Sequence, residues 1–341
     1  MEAIVEGFAL ETKDDLIFTV KGLLHPPDRL IAYLRYVPDP HGSRQRSGRF
    51  YRRLYHFREQ EALIETRYPE YLAYDPVSGM RLQSVSRGWV RSIYDPCRYL
   101  TALRGQRPND LVQQDALHLA MLLQKASNVS WTDVGISGSL LVGLQRPDSD
   151  VDLIIYGEEA GRTVHRALQR LLDRSSTPLR RPRREELAAL HAEHRADTPL
   201  AFEDFARLQA RKVNEVRFRG REAFIRFVKR PTETKDRYGH RCFESLGAVT
   251  VHALVTEDRD AIFTPCRYTV EDAAFLDGGP VADLSSIVSF RGRFSDQARV
   301  GEWVEARGNL ERVVPRSGQI HHRLVVGGRS GDYLSVRWTS S

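Results

Sequence analysis

The chain has 341 residues, 41% hydrophobic and 28% charged, which is the profile of a folded globular protein long enough for two or three domains. No apolar run nears the roughly 18 residues of a membrane span, and the opening Met-Glu-Ala-Ile-Val-Glu-Gly lacks the basic start and apolar stretch of a secretory signal, so a cytoplasmic protein without a membrane partner is expected. The net charge of +6 leans toward a polyanionic partner, and the three scattered cysteines Cys97, Cys242 and Cys266 make neither a disulfide framework nor a metal-ligand cluster.

Along the first hundred residues the pattern is α+β. Leu16–Val20 and Leu30–Tyr36 are rich in β-branched and aromatic residues, and His25-Pro26-Pro27-Asp28 marks a turn between them. Gly42 to Arg53 is polar and Arg-rich. Phe57–Tyr71 reads as helix until the Pro69 region, and Tyr94-Asp95-Pro96 closes the segment.

Asn109 or Asp110 is placed to cap a helix running to about Ala126, with Leu111, Val112, Leu119, Leu122 and Leu123 at helical spacing. Val134–Ser137 is a short strand, Gly138–Leu144 a helix start or tight turn, and Val151–Tyr156 a strand apolar almost everywhere except at Asp152. Thr163–Asp173 is helical. After the basic connector Leu179–Arg184 come helices near Glu185–Glu193 and Phe202–Lys212. A hairpin of Val213–Phe218 and Ala223–Val228 then turns at Gly220.

From about Pro231 the pattern changes to short strands and Gly-rich turns. Val249–Val255, Ala261–Phe263, Ile287–Arg293, Glu302–Val313, Gln319–Val326 and Tyr333–Trp338 are the candidates, in a small barrel or sandwich. The echo between Ile93-Tyr-Asp-Pro-Cys-Arg-Tyr99 and Ile262-Phe-Thr-Pro-Cys-Arg-Tyr268 is read as coincidence.

The segment with chemical content runs from Gly135 to Tyr156. On a strand, residues i and i+2 share a face, so Asp150 and Asp152 converge while Val151 points the other way. Two carboxylates at the leading end of a buried strand repel each other, and a shared cation relieves the repulsion. Mg²⁺ prefers such carboxylates together with phosphate oxygens. Gly138-Ser139 lies where strand gives way to helix, a setting that favours anions, and glycine allows close approach of backbone to a ligand. Asp148 and Ser149 read as turn residues. The bland alternative is an ordinary helix start beside a solvated strand end; it accounts for Asp150 more readily than for Asp152.

Gly138-Ser139, Gly143 and Ser149-Asp150-Val151-Asp152-Leu153, in that order and setting, resemble the polymerase-β-like nucleotidyltransferase superfamily, over about Asn109–Val228. The flanks are similar to those of uncharacterised archaeal and bacterial predicted nucleotidyltransferases. With the patterns of the flanks, the resemblance gives an α+β fold in three parts: an N-terminal α+β module (1–100), a core (101–230) that it makes a nucleotidyltransferase core of mixed sheet and helices, and a C-terminal small β-barrel-like module (231–341). It implies transfer of a nucleoside monophosphate from a nucleoside triphosphate to an acceptor hydroxyl. Asp150 and Asp152 would be catalytic and would hold Mg²⁺ or Mn²⁺, while Gly138 and Ser139 would bind the nucleotide.

Members of that superfamily usually carry a third carboxylate on a later strand. Here Glu222-Ala-Phe-Ile-Arg-Phe-Val228 is the natural strand, with Arg226 at its centre. Glu222 is the candidate third carboxylate, with Asp258 and Asp260 as alternatives. Arg217, Arg219 and Arg221 alternate along one strand as tentative contacts to phosphate or nucleic acid, or as a solvated face balanced by acids.

In the tail, Phe290, Phe294, Trp303, Tyr333 and Trp338 are core residues or a stacking platform for a single strand. RNA is therefore the preferred acceptor, and dimerisation is another use for this module. His191, His194, His321 and His322 lack partner ligands at zinc-site spacing and read as structural. The rival function is a nucleic-acid-binding protein that keeps the nucleotidyltransferase fold without catalysis, and Arg226 favours it.

Overall fold

The computed structural model describes residues 3–54, 57–174, 176–277 and 283–338, the side chain of Phe57 excepted. The protein is α+β, and the chain divides into two compact units. The first comprises Met1–Asp75, Met80–Arg180 and Val216–Tyr238; the second comprises Pro76–Gly79, Arg181–Glu215 and Gly239–Ser341.

In the first unit eight strands form an antiparallel sheet: β1 (Ala9–Thr12), β2 (Ile17–Val20), β3 (Arg29–Pro38), β4 (Arg44–Arg46), β5 (Arg49–Arg53), β6 (Leu72–Asp75), β7 (Met80–Ser86) and β8 (Val90–Tyr94). The order is β4-β5-β3-β2-β1-β8, with β7 also on β3 and β6 on β7. Helix α1 (Phe57–Arg67) lies between β5 and β6 in the chain. The Arg-rich stretch that sequence left unassigned is the β4–β5 hairpin. It turns at Ser47 and Gly48, both left-handed (φ 50° and 77°), the conformation a tight hairpin demands.

Helix α2 (Pro96–Arg104) follows, where the sequence showed only a closing turn. The Asp95 side chain accepts from the Cys97 and Arg98 amides, and proline opens the first turn without wasting a donor. Helix α3 (Leu111–Ser127) is capped by Asp110, which accepts from the Gln113 amide, and ends at left-handed Asn128. Then come β9 (Val134–Ile136), the single turn α4 (Gly138–Leu141), β10 (Val151–Tyr156), α5 (Glu158–Leu172), β11 (Leu179–Arg180), β12 (Glu215–Phe218) and β13 (Arg221–Val228). These strands form a second sheet ordered β11-β12-β13-β10-β9. The β10–β13 pair is parallel and the β9–β10 pair antiparallel. Helices α3 and α5 pack on β10.

The two faces of β10 have different fates. Val151, Leu153 and Ile155 are buried on one side. On the other, Ile154 and Tyr156 join Val228 in a core with Val5, Phe8, Leu10 and Phe18 of the N-terminal segment. Gly7 passes so close that a Cβ there would overlap Cδ1 of Ile154. The N-terminal sheet thus covers the far end of the face that carries Asp152.

The second unit holds α6 (Arg184–His194), α7 (Phe202–Arg211) and strands β14 (Arg241–Asp260), β15 (Cys266–Phe275), β16 (Leu284–Ser289), β17 (Trp303–Pro315), β18 (His321–Val325) and β19 (Tyr333–Val336). Pairing runs β14-β15-β16-β18-β17, and β17 pairs back onto β14, so the ladder returns on itself, with β19 added along β17. Its core includes Val251, Val255, Tyr268, Ile287, Phe294, Leu310 and Leu324, and Leu208 of α7 packs with them. The expected Ala261–Phe263 strand is a turn, and β15 was not anticipated.

The seven-residue echo adopts two conformations: Pro96 opens a helix, whereas Cys266 opens a strand, so it records no structural repeat. None of the three cysteines is in a disulfide. Among the described residues no helix is long and apolar enough to cross a membrane.

Candidate functional site

The Gly-Ser turn and the Asp-x-Asp strand meet in the first unit. Strands β9 and β10 run antiparallel with Ile136 opposite Leu153, and the Ser137 amide donates to the Asp152 carbonyl at 2.8 Å. Ser137 Oγ donates to the Gly7 carbonyl at 2.8 Å, fixing the same corner from the other side. The chain then swings into α4 through Gly138, whose φ is 67°. A Cβ at Gly138 would stand 2.9 Å from Cγ of Asp152 and overlap its Oδ2. Two requirements therefore converge on glycine here, the left-handed backbone and the carboxylate lying against its Cα.

Ser139 comes next. It is buried, 4% exposed, and its hydroxyl has no hydrogen-bond partner among the described residues. A buried hydroxyl without a partner costs about 1–3 kcal/mol, so a water or ligand oxygen reaching Ser139 would gain a hydrogen bond there.

Asp150 stands just before β10 and Asp152 within it, on one face. Burial, then the negative charge of Asp150, push the Asp152 carboxyl up to about 6, while Arg226, Arg53 and Arg35 pull it back. Asp152 remains partly open to solvent. In the parallel ladder Asp152 lies beside Phe224 and Ile154 beside Arg226, so Arg226 shares its face. Arg226 donates to Glu6 at 3.0 Å, and the buried Glu6 also binds Lys21 at 3.1 Å and the Gly22 amide at 2.8 Å.

The N-terminal sheet supplies more cations, which sequence reasoning missed. Burial, then the adjacent Arg53, lower the Arg35 guanidinium, while Tyr36, Asp152 and Asp150 hold its charge. Arg35 stood out in one respect, as a cation within the apolar run Leu30-Ile-Ala-Tyr-Leu-Arg-Tyr-Val37, the same irregularity that marked Asp152.

The loop ahead of Asp150 is pinned from both sides. Arg44, 6% exposed, donates to the Leu144 carbonyl at 2.5 Å and to Ser149 Oγ at 3.3 Å. Arg46 donates to the Val142 carbonyl at 3.1 Å. Arg221 donates to the carbonyls of Pro147 and Ser149 at 2.8 and 2.7 Å and pairs with Asp115 at 3.0 Å. Asp148 pairs with Arg146 on the exposed turn.

The remaining sequence candidates are placed differently. Glu222 is 53% exposed at its side chain and pairs with Arg217 at 2.6 Å. Arg219 bonds His118 Nδ1 at 2.7 Å and lies 3.6 Å from Asp115. Arg217, Arg219 and Arg221 are thus each engaged by neighbouring side chains, and Arg221 is a positioning residue for the Asp150 loop. Asp258 and Asp260 belong to β14 of the second unit. Among the described residues no group of three His, Cys, Asp or Glu is arranged to hold a metal. The tail aromatics divide: Phe294 is buried at 2%, Trp303 and Phe290 are exposed at 45% and 37%, and the Tyr333 hydroxyl donates to Glu305 at 2.6 Å.

By fold and site, then, this is an α+β protein whose first unit gathers two carboxylates, a glycine turn, an unsatisfied serine hydroxyl and a set of arginines. Its sequence is 26% identical over 327 residues, 93% of this chain and 94% of the other, to the uncharacterized protein MJ1086 of Methanocaldococcus jannaschii. No protein-family profile and no solved structure matches it.

Proposed function

We propose that the first unit is a metal-dependent nucleotidyltransferase of the polymerase-β-like type, with β9, β10 and β13 and their helices as its core. The observation that carries this reading is the close approach of Gly138 to the Asp152 carboxylate, which sets the strand-to-helix turn directly against one member of the acid pair. The donor set suits the cation: Asp150 and Asp152 offer hard oxygens on one face, and the orphaned Ser139 hydroxyl beside them suits a phosphate oxygen. Asp150 and Asp152 would hold Mg²⁺ or Mn²⁺. When bound, that ion neutralises charge on the α-phosphate and the departing pyrophosphate.

The chain's own residues do the rest. Gly138 lets the turn approach the ligand, Ser139 donates to it, and Arg44 and Arg221 hold the loop that aims Asp150. The acceptor oxygen bonds the α-phosphorus, the bond to the β-phosphate oxygen breaks, pyrophosphate leaves, and the hydroxyl proton is released. RNA is the acceptor we favour, because the second unit exposes Trp303 and Phe290 and sets Arg323 over Phe243 and Arg211 over Trp338, and single-strand binders combine aromatic and basic side chains in this way. The test is incorporation of labelled nucleotide into an RNA pool with Mg²⁺. Wild type should incorporate, and Asp150→Ala and Asp152→Ala should each lose at least about a hundredfold.

A second reading has one specific observation behind it. Phe224 and Arg226 occupy the positions on the Asp152 face where a third acid would stand, and Arg226 is committed to Glu6. On that reading the protein binds nucleic acid without catalysis. Salt-sensitive RNA binding that survives both aspartate substitutions, with no incorporation by wild type, would select it.

A further inference from the structure

We propose that Arg35 and Arg53, contributed by the N-terminal sheet, bind the polyphosphate of the nucleotide, so that the donor site is built jointly by the two sheets of the first unit. The inference rests on the transferase reading for the identity of the nucleotide, but its geometry stands separately.

The first observation is a β-bulge. Along β2 and β3, Ile17 lies opposite Tyr36 and Phe18 opposite Leu34, which leaves Arg35 as the inserted residue. Bulges re-aim a side chain out of strand alternation and gather near active sites. The second is the pairing of Arg53 with Tyr36 across β3 and β5, beside the bulge. The Leu54 amide donates to the Arg35 carbonyl at 2.9 Å, and the Arg35 guanidinium donates back to the Leu54 carbonyl at 3.2 Å. This exchange ties the two arginines to one small piece of backbone. Both are half-buried, and both act on Asp152.

Charge balance turns this placement into function. Two like-charged guanidinia held side by side repel, and here the acid pair offsets them. A dication held by Asp150 and Asp152 would take up charge that now offsets Arg35 and Arg53, and a bound anion would restore the balance. Arg226 gives no relief, being a third cation with its own partner in Glu6. A polyphosphate supplies that anion at the required place, and guanidinium groups bind phosphate oxygens through paired, directional hydrogen bonds. The orphaned Ser139 hydroxyl would meet the same chain of phosphates from the opposite sheet.

The experiment uses inorganic tripolyphosphate, titrated calorimetrically into the full-length protein at fixed ionic strength. Arg35→Gln and Arg53→Gln should each weaken binding about tenfold or more, and Arg35→Lys less than Arg35→Gln. In parallel, wild-type protein is treated with phenylglyoxal and its peptides mapped by mass spectrometry, which needs no variant to fold. Tripolyphosphate and ATP should both protect Arg35 and Arg53. Unchanged affinity in folded variants overturns the inference. So does equal modification of both arginines with and without tripolyphosphate, or protection by a single-stranded RNA oligonucleotide alone. If protection is seen but no nucleotide is transferred, the transferase reading fails and the polyphosphate site stands. If transfer requires Asp150 and Asp152 while both glutamine variants keep the wild-type KM for nucleotide, the reverse holds.

Discussion

Asp152 is a carboxylate whose ionisation works against the fold. Its folded value of about 6 lies above the ordinary 3.8 because burial and Asp150 disfavour its charge. The folded chain therefore holds a proton that the unfolded chain has given up between those values. The stabilisation this provides is complete below about pH 4 and is lost as pH rises through about 6. A displacement of this size corresponds to about 2–3 kcal/mol. In chelator at pH 8, Asp152→Asn should accordingly unfold at higher denaturant concentration than wild type, and the difference should close by pH 4. Arg44 represents the opposite case, a buried cation fully used. Its loss in Arg44→Ala strands the Leu144 carbonyl, and denaturant titration should register about 2–3 kcal/mol of destabilisation.

Among the elements, the turn from β9 into α4 is where conformation and chemistry coincide. Gly138→Ala must adopt a left-handed backbone and displace the Asp152 carboxylate, so we expect a loss of about 1–3 kcal/mol and a collapse of nucleotide transfer. Gly48 is the control. It too is left-handed, at 77°, but a Cβ there meets nothing, so Gly48→Ala should cost about 1 kcal/mol and leave transfer intact. Strand β10 and helix α3 were legible in sequence because an apolar run and a capped helical period each name their element. The β4–β5 hairpin was not, since its arginines hide the alternation and the turn signal Ser47-Gly48 stood alone. Helix α2 was misread because Asp95-Pro96 serves equally as a turn and as a cap. For the candidate site, spacing singled out Gly138, Ser139, Asp150 and Asp152, and the structure brings Gly138 against Asp152. Arg35 and Arg53 could not be found that way, because a β-bulge and the β3–β5 register are properties of strand pairing rather than of residue spacing. Nor does the apolar face of α7 identify the strands it packs on.

For the molecule as a whole, ligand binding and stability are linked. A nucleoside triphosphate with Mg²⁺ at about a hundred times its Kd should stabilise the first unit by about 2.7 kcal/mol, read as a raised Tm. Asp150→Ala or chelator should abolish that shift. The net charge of +6 suits RNA binding that weakens steeply with salt, and because it does not draw on the acid pair, that binding should persist in the aspartate variants. The most direct test is a crystal structure of the protein with Mn²⁺ and a non-hydrolysable nucleoside triphosphate. The expected density shows the ion between Asp150 and Asp152, a phosphate on Ser139, and the remaining phosphates facing Arg35 and Arg53. Nucleotide bound elsewhere, with no ion between the two carboxylates, would contradict it.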